Sequence, residues 1–153
     1  MGSLTSLGCA LTQLLDKIGT FAPQLALRLF LAYEYGEAGI EKFKGENWFG
    51  SIKESFPFPF DAIPVEISWF ISTYSELIGA AALIIGLGTR FFSATLIILT
   101  VVAWVAVHAD NGYNVCSNGY KLPLMYLVMF LPLLFSGPGK ASVDHLIAKR
   151  CHS

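Results

Sequence analysis

The chain has 153 residues, 54% of them hydrophobic and only 14% charged, with a formal net charge of -1 and a mean hydropathy of +0.58. That balance belongs to membrane proteins rather than to ordinary soluble domains, and four spans of about 20 residues each would use most of the length, leaving no room for a separate soluble catalytic domain. The near-neutral charge provides no basic footprint for nucleic acid.

In residues 1–22, Leu11, Leu14, Leu15 and Ile18 recur at i, i+3, i+4 and i+7 with Gln13, Asp16 and Lys17 between them. This pattern predicts a short amphipathic helix at the membrane surface. No apolar run of the kind a cleaved or lipoprotein signal requires precedes Gly8-Cys9, so no cleaved leader is expected. The first predicted span, 23–43, opens on Pro23, which suits a helix start, and contains Arg28, Glu34 and Glu37. It can span only if it lines something polar. In the segment 44–64 that follows, Trp48, Phe49, Phe56, Phe58 and Phe60 are interleaved with Pro57, Pro59 and Pro64. Such a stretch cannot be helical throughout and is too apolar to float in water, so it is expected to fold over the bundle mouth as an aromatic cap or to form an interfacial aromatic belt.

The second predicted span, 65–87, holds one deep charge, Glu76, and the third, 90–108, has none between Arg90 and His108. Small residues at Ser68, Ser72, Ser75, Gly79, Ala82 and Gly86 give the second span a smooth stripe, and Ala32, Gly36 and Gly39 give the first a matching one. Membrane helices depend on such close approach, which predicts antiparallel pairing of the two. The loop from His108 to Pro123 is dense in Asn and Gly, so tight turns should present Tyr113, Cys116, Tyr120 and Lys121 at the external mouth. The fourth span, 120–136, carries Pro123 and Pro132 and is closed by Gly137-Pro138-Gly139. The expected fold is therefore an all-α integral membrane protein, a single domain built as a four-transmembrane-helix bundle with an aromatic, Pro-rich external loop between its first two helices. Lys17, Arg90, Lys140, Lys149 and Arg150 on one side outnumber Lys42, Lys44, Lys53 and Lys121 on the other by five to four. The bias places both termini in the cytoplasm.

The candidate site residues follow from the cost of charge in hydrocarbon, several kcal/mol for each unpaired group at roughly the bilayer centre. With the first span centred near Tyr33 and the second near Glu76, Arg28 is expected to pair with Glu76, Glu34 or both, making an intramembrane cluster of Arg28, Glu34, Glu37 and Glu76. Carboxylates exceed cations in that cluster, so one carries a proton or a cation sits there. The predicted external mouth adds Glu41, His108, Tyr113, Cys116 and Lys121, with His108 and Glu41 at comparable heights for a proton relay or a metal site. Cys9, Cys116 and Cys151 lie far apart and in no CxxC pattern, so His108 and Cys116 are only weak metal candidates. The Cys151-His152 tail with His145 upstream is a further soft-metal candidate.

GEAGIEKF, SELIGAAALIIGLGTRF and AWVAVHA resemble the DoxX family of small bacterial four-helix membrane proteins over nearly all of residues 23–140. LAYEYGEAGIEKFKGENWF, FPFPF, HADNGYNVCSNGYKLPL and LLFSGPGKASVDHLI resemble most closely its HvfX branch, associated with maturation of copper-binding, ribosomally made modified peptides. The resemblance implies a bacterial inner membrane, four spans and cytoplasmic termini, and carries no catalytic residue set. Three functions follow as expectations. The first is an accessory inner-membrane protein of a copper-peptide maturation or export system, or of a copper or oxidative-stress system, whose mouth engages the modified peptide, copper or a maturation partner. The second is a quinone-binding membrane subunit of an oxidoreductase, with Glu34 or Glu76 moving protons and Tyr33, Tyr35, Tyr74 or Trp104 lining the head-group pocket. The third is a small proton- or metal-coupled transporter, which with so few helices requires a homodimer. None of the three is a stand-alone enzyme, and quinone and copper are the candidate cofactors.

Overall fold

A computed structural model of the protein describes residues 2–151, which are mostly helical with no strand among them. His152 lies outside the described residues. The helices are α1 (Gly2–Gly19), α2 (Ala22–Lys44), α3 (Val65–Ile85), α4 (Thr89–Ala103), α5 (Lys121–Ser136) and α6 (Val143–Cys151). A π turn at Trp104–His108 and a 3-10 turn at Ala109–Asn111 continue α4. Helices α2 to α5 form a ring in which each packs on the next and α5 returns to α2. The core inside the ring is Leu31, Ala32 and Tyr35 of α2, Ala80 and Leu83 of α3, Leu96 of α4, and Phe130 and Leu133 of α5.

Two helical stretches, Val65–Ile85 and Thr89–Asn111, are long and apolar enough to cross a membrane. Helix α5 is apolar but has only 16 residues, about 24 Å at 1.5 Å per residue. Helix α2 has the length, 23 residues, but carries Arg28, Glu34 and Glu37 within its apolar stretch. The α1 side chains Leu11, Leu14, Leu15 and Ile18 are all exposed.

The expected antiparallel pairing of α2 with α3 is present, and its contacts set the register. A methyl group built on Gly36 would touch the Ala80 Cβ at 3.5 Å, and one on Gly39 would meet Leu77 at 3.0 Å and the Glu76 Cβ at 3.1 Å. Gly79, expected in the same contact, faces α4 instead, where Leu96 occupies the space at 3.0 Å. With Gly36 opposite Ala80, Tyr33 is level with Leu83 rather than with Glu76, a slide of about 10 Å at 1.5 Å per residue. That slide decides which charges meet.

At the end of the bundle nearest the termini, α3 stops at Gly86, whose φ of 70 places it in the left-handed region. At the opposite end, residues 44–64 contain two 3-10 turns, Phe49–Ser55 and Phe60–Ala62, and form an aromatic cap, one of the two arrangements expected of them. Phe49 and Phe56 are buried, with ring contacts running Trp48–Phe49, Phe49–Phe56 and Phe49–Trp69. Phe58 points outward, 86% exposed.

Candidate functional site: a capped cavity at the loop end

Arg28 is the first sequence expectation that the structure corrects. Its side chain is 1% exposed and meets no carboxylate. Nε donates to the Leu83 carbonyl at 2.8 Å and Nη2 to that of Ile84 at 2.9 Å, while Nη1 donates to the carbonyls of Pro138 at 2.9 Å and Ala141 at 2.8 Å. The slide of α2 along α3 is the cause. It brings Arg28 to the C-terminus of α3, where helix carbonyls lack intrahelical partners and a cation is favoured. Asp144 of α6 complements this arrangement by accepting from the amides of Gly88, which caps α4, at 2.7 Å and of Thr89, its first residue, at 2.9 Å. Arg28 therefore ties three segments together and is structural.

The same slide brings Lys42 down to Glu76. Lys42 Nζ lies 2.9 Å from Oε1 and 2.8 Å from Oε2 of Glu76, which is 3% exposed. Glu34 is half-buried and accepts from the Tyr126 hydroxyl at 2.5 Å, and Glu37 is exposed. The expected cluster of Arg28, Glu34, Glu37 and Glu76 is thus divided among separate partners, because the helices do not share a common midplane. Tyr35 hydrogen-bonds Thr100 across the bundle core.

The Lys42–Glu76 pair opens onto a cavity of about 620 Å³. Its roof is Trp48, Phe49, Phe56 and Phe60 of the cap, and one wall is Ser68, Ile71 and Ser72 of α3. The other wall is Ile98, Leu99 and Val102 of α4, continued by Ala106, Val107 and His108 of the π turn. Such turns recur at functional sites. Apolar lining with few, separated polar groups is the usual character of a small-molecule site. Ser68 Oγ is buried without a hydrogen-bond partner. At the rim, His108 Nδ1 lies 2.7 Å from the Asn118 carbonyl oxygen.

Lys42 and Ser68 escaped the sequence reading as site residues, although a signal existed. Gly39 and Lys42 are three apart and share a face, so a helix that approaches at Gly39 also meets Lys42. Of the aromatic residues expected in a head-group pocket, Tyr33 and Tyr74 are exposed and Tyr35 sits in the core. Trp104 stacks on Tyr120 with centroids 5.3 Å apart. The rings at the cavity are those of the cap.

The mouth residues lie at this same end without forming one cluster. Tyr113 packs on Tyr120 at 5.8 Å and under Lys121 Nζ at 5.4 Å. Cys116 is a free, exposed thiol, as are Cys9 and Cys151. Glu41 is exposed, and His108 bonds the Asn118 carbonyl rather than Glu41. Among the described residues no group of three His, Cys, Asp or Glu side chains is placed to hold a metal ion.

A "DoxX" family model matches residues 24–109, which include α3, α4 and both the Lys42–Glu76 pair and His108. An uncharacterized protein of Haemophilus influenzae is 53% identical over 132 residues, covering 86% of this chain and 87% of the relative. A second uncharacterized protein of the same organism is 32% identical over 78 residues, 49% of this chain and 58% of that one. No solved structure matches the chain. The all-helical architecture, the apolar helices α3 and α4 and the family match over more than half of its length make the chain a member of the DoxX family of membrane proteins.

Proposed function

We propose that the protein is an accessory membrane subunit that admits a small, ring-bearing apolar molecule of the quinone class from the bilayer and holds it in the loop-end cavity for a partner oxidoreductase. The observation that supports this reading is an aromatic-roofed apolar cavity lined by the Lys42–Glu76 pair, of which Glu76 is buried and Lys42 half-buried, and by Ser68, whose buried hydroxyl has no hydrogen-bond partner among the described residues. Aromatic side chains and aliphatic walls suit a planar ring and its tail, while Lys42 keeps one N–H beyond the two bonds it gives to Glu76 and can donate it to a ring oxygen. In this reading α2 to α5 are four spans of a bacterial inner membrane, α1 and α6 lie on the cytoplasmic side, and the cavity opens near the external surface. Charge on the cap and mouth, Lys53 and Lys121 among it, remains available to a partner protein.

The test uses purified full-length protein in nanodiscs. Retained quinones are identified by mass spectrometry, and decylubiquinone is titrated while Trp48 and Trp69 report by fluorescence. The reading predicts saturable quenching that weakens at least about tenfold in Lys42→Met, the size expected for one hydrogen bond to a charged group. Protein that retains no quinone and shows no saturable quenching ends it.

A second reading, an accessory role in maturation or export of a copper-binding modified peptide, is favoured by the mouth. Tyr113 is 60% exposed and Cys116 is a free thiol, both within the segment HADNGYNVCSNGYKLPL that resembles the HvfX branch. Growth under copper challenge and mass spectrometry of the cognate peptide, in deletion and Cys116→Ser strains, test it. Unchanged peptide modification, secretion and copper tolerance after deletion would remove it.

A further inference from the structure

The polar groups around the cavity do not present the same face to the oxidised and the reduced form of a quinone. His108 ends the π turn that forms part of one wall, and its Nδ1 lies 2.7 Å from the Asn118 carbonyl oxygen. A carbonyl oxygen can only accept, so Nδ1 carries the proton, and Nε2 of the neutral ring is left as an acceptor. Two features hold that arrangement. Asn111 Nδ2 donates to the same carbonyl at 3.2 Å, and Asn118 adopts a left-handed backbone, φ 57, which asparagine tolerates better than most residues. The Ser68 hydroxyl, buried and unpartnered, can turn to donate or accept and so does not discriminate. Lys42 can donate to a carbonyl or to a phenolic oxygen alike.

We propose that the cavity selects a hydroquinone over the corresponding quinone, with His108 Nε2 accepting the hydrogen bond of one phenolic O–H. The proposal rests on the quinone-class reading of the cavity and adds the redox form that the site recognises. A quinone places a carbonyl lone pair against the Nε2 lone pair, so neither acceptor gains a hydrogen bond from the other. A hydroquinone supplies the missing donor at the same position. Because His108 stands at a partly exposed rim, where water can serve an unpaired Nε2, the discrimination is that of a single hydrogen bond.

Full-length protein in phosphatidylcholine nanodiscs is titrated anaerobically, by calorimetry, with three probes: decylubiquinone, its hydroquinone, and the dimethyl ether of that hydroquinone. The ether keeps the ring and tail but has no O–H. The expected result is that the hydroquinone binds several-fold to about tenfold tighter than either other probe. His108→Phe should abolish the preference, and His108→Gln, whose amide oxygen can still accept, should keep part of it. Equal binding of the three probes to the wild type, or tighter binding of the quinone, overturns the proposal while leaving the quinone-class reading intact. A full preference surviving in His108→Phe overturns it as well. Failure of all three probes to bind overturns both readings, and the wild-type comparison decides the matter even if neither variant folds.

Discussion

The two ends of this bundle treat buried charge in opposite ways. Near the termini, Arg28 spends four of its five N–H groups on backbone carbonyls of α3 and of the segment between α5 and α6, and Asp144 spends both carboxylate oxygens on the amides at the start of α4. At the loop end, Lys42 and Glu76 hold each other beside a cavity, with an unpartnered hydroxyl and an imidazole nitrogen nearby. A charge whose partners are orphaned helix carbonyls closes a chain end, and its chemistry is used up in doing so. A charge that meets another side chain at a cavity wall keeps capacity for a ligand. The terminal end is therefore a clasp and the loop end a site, and substitutions should separate the two.

Arg28→Leu should have the largest effect. It removes four charge-assisted hydrogen bonds and strands the carbonyls they satisfied, a loss of roughly 5 kcal/mol or more when such bonds are each worth about 1.5–3. Little folded protein should reach the membrane, as judged by detergent extraction and thermal unfolding. Arg28→Lys should rescue only part, since an ammonium lacks the planar fork that reaches carbonyls on separate segments. Folded, stable Arg28→Leu protein would erase the contrast between the ends.

The next effect tests the loop end. Lys42→Met leaves a buried carboxylate uncompensated and should cost about 3 kcal/mol, the low end for breaking a buried pair. The double variant Lys42→Met with Glu76→Met should recover most of that loss, because the pair itself contributes little net stability once its desolvation is counted. Ligand affinity should stay lost in the double variant. Recovery of binding together with stability would mean that the pair is a second clasp.

How much of this was legible in the residues follows from what each inference needed. Helices α3 and α4 could be read because Glu76 is the single deep charge in one and the other has none between its ends. The cap could be read because Pro57, Pro59 and Pro64 forbid a continuous helix while the aromatic residues between them need cover. Pairing of α2 with α3 was visible in Gly36 and Gly39. The partners of the charges were not, because heights along two helices become comparable only when the register is known. The fit of Gly36 on Ala80 and of Gly39 on Leu77 displaces the helices by about 10 Å, moving Arg28 away from the carboxylates and Lys42 onto Glu76. Backbone carbonyls as acceptors leave no mark in a sequence, and neither does a cavity.

A smaller effect belongs to the clasp. Asp144→Ala removes the cap on α4 and should cost about 1–2 kcal/mol, in the range for losing a side-chain cap at a helix N-terminus. Quinone titration should be unchanged, since Asp144 lies at the far end of the bundle from the cavity. Weakened binding in a variant that remains folded would show that the ends communicate, and the division between them would have to be redrawn.

The smallest expected change is the most discriminating. Ser68 Oγ is buried at the cavity with no partner, so in the ligand-free protein it pays desolvation without return. Ser68→Ala should therefore leave stability unchanged or raise it by up to about 1 kcal/mol. The same substitution should weaken decylubiquinone binding several-fold, because the hydroxyl finds its partner only in the ligand. A residue that belonged to the fold alone would show the reverse, a loss of stability with binding unaffected. Thermal unfolding and calorimetry on one preparation read both quantities, and opposite signs for the two mark a group kept for a ligand rather than for the bundle.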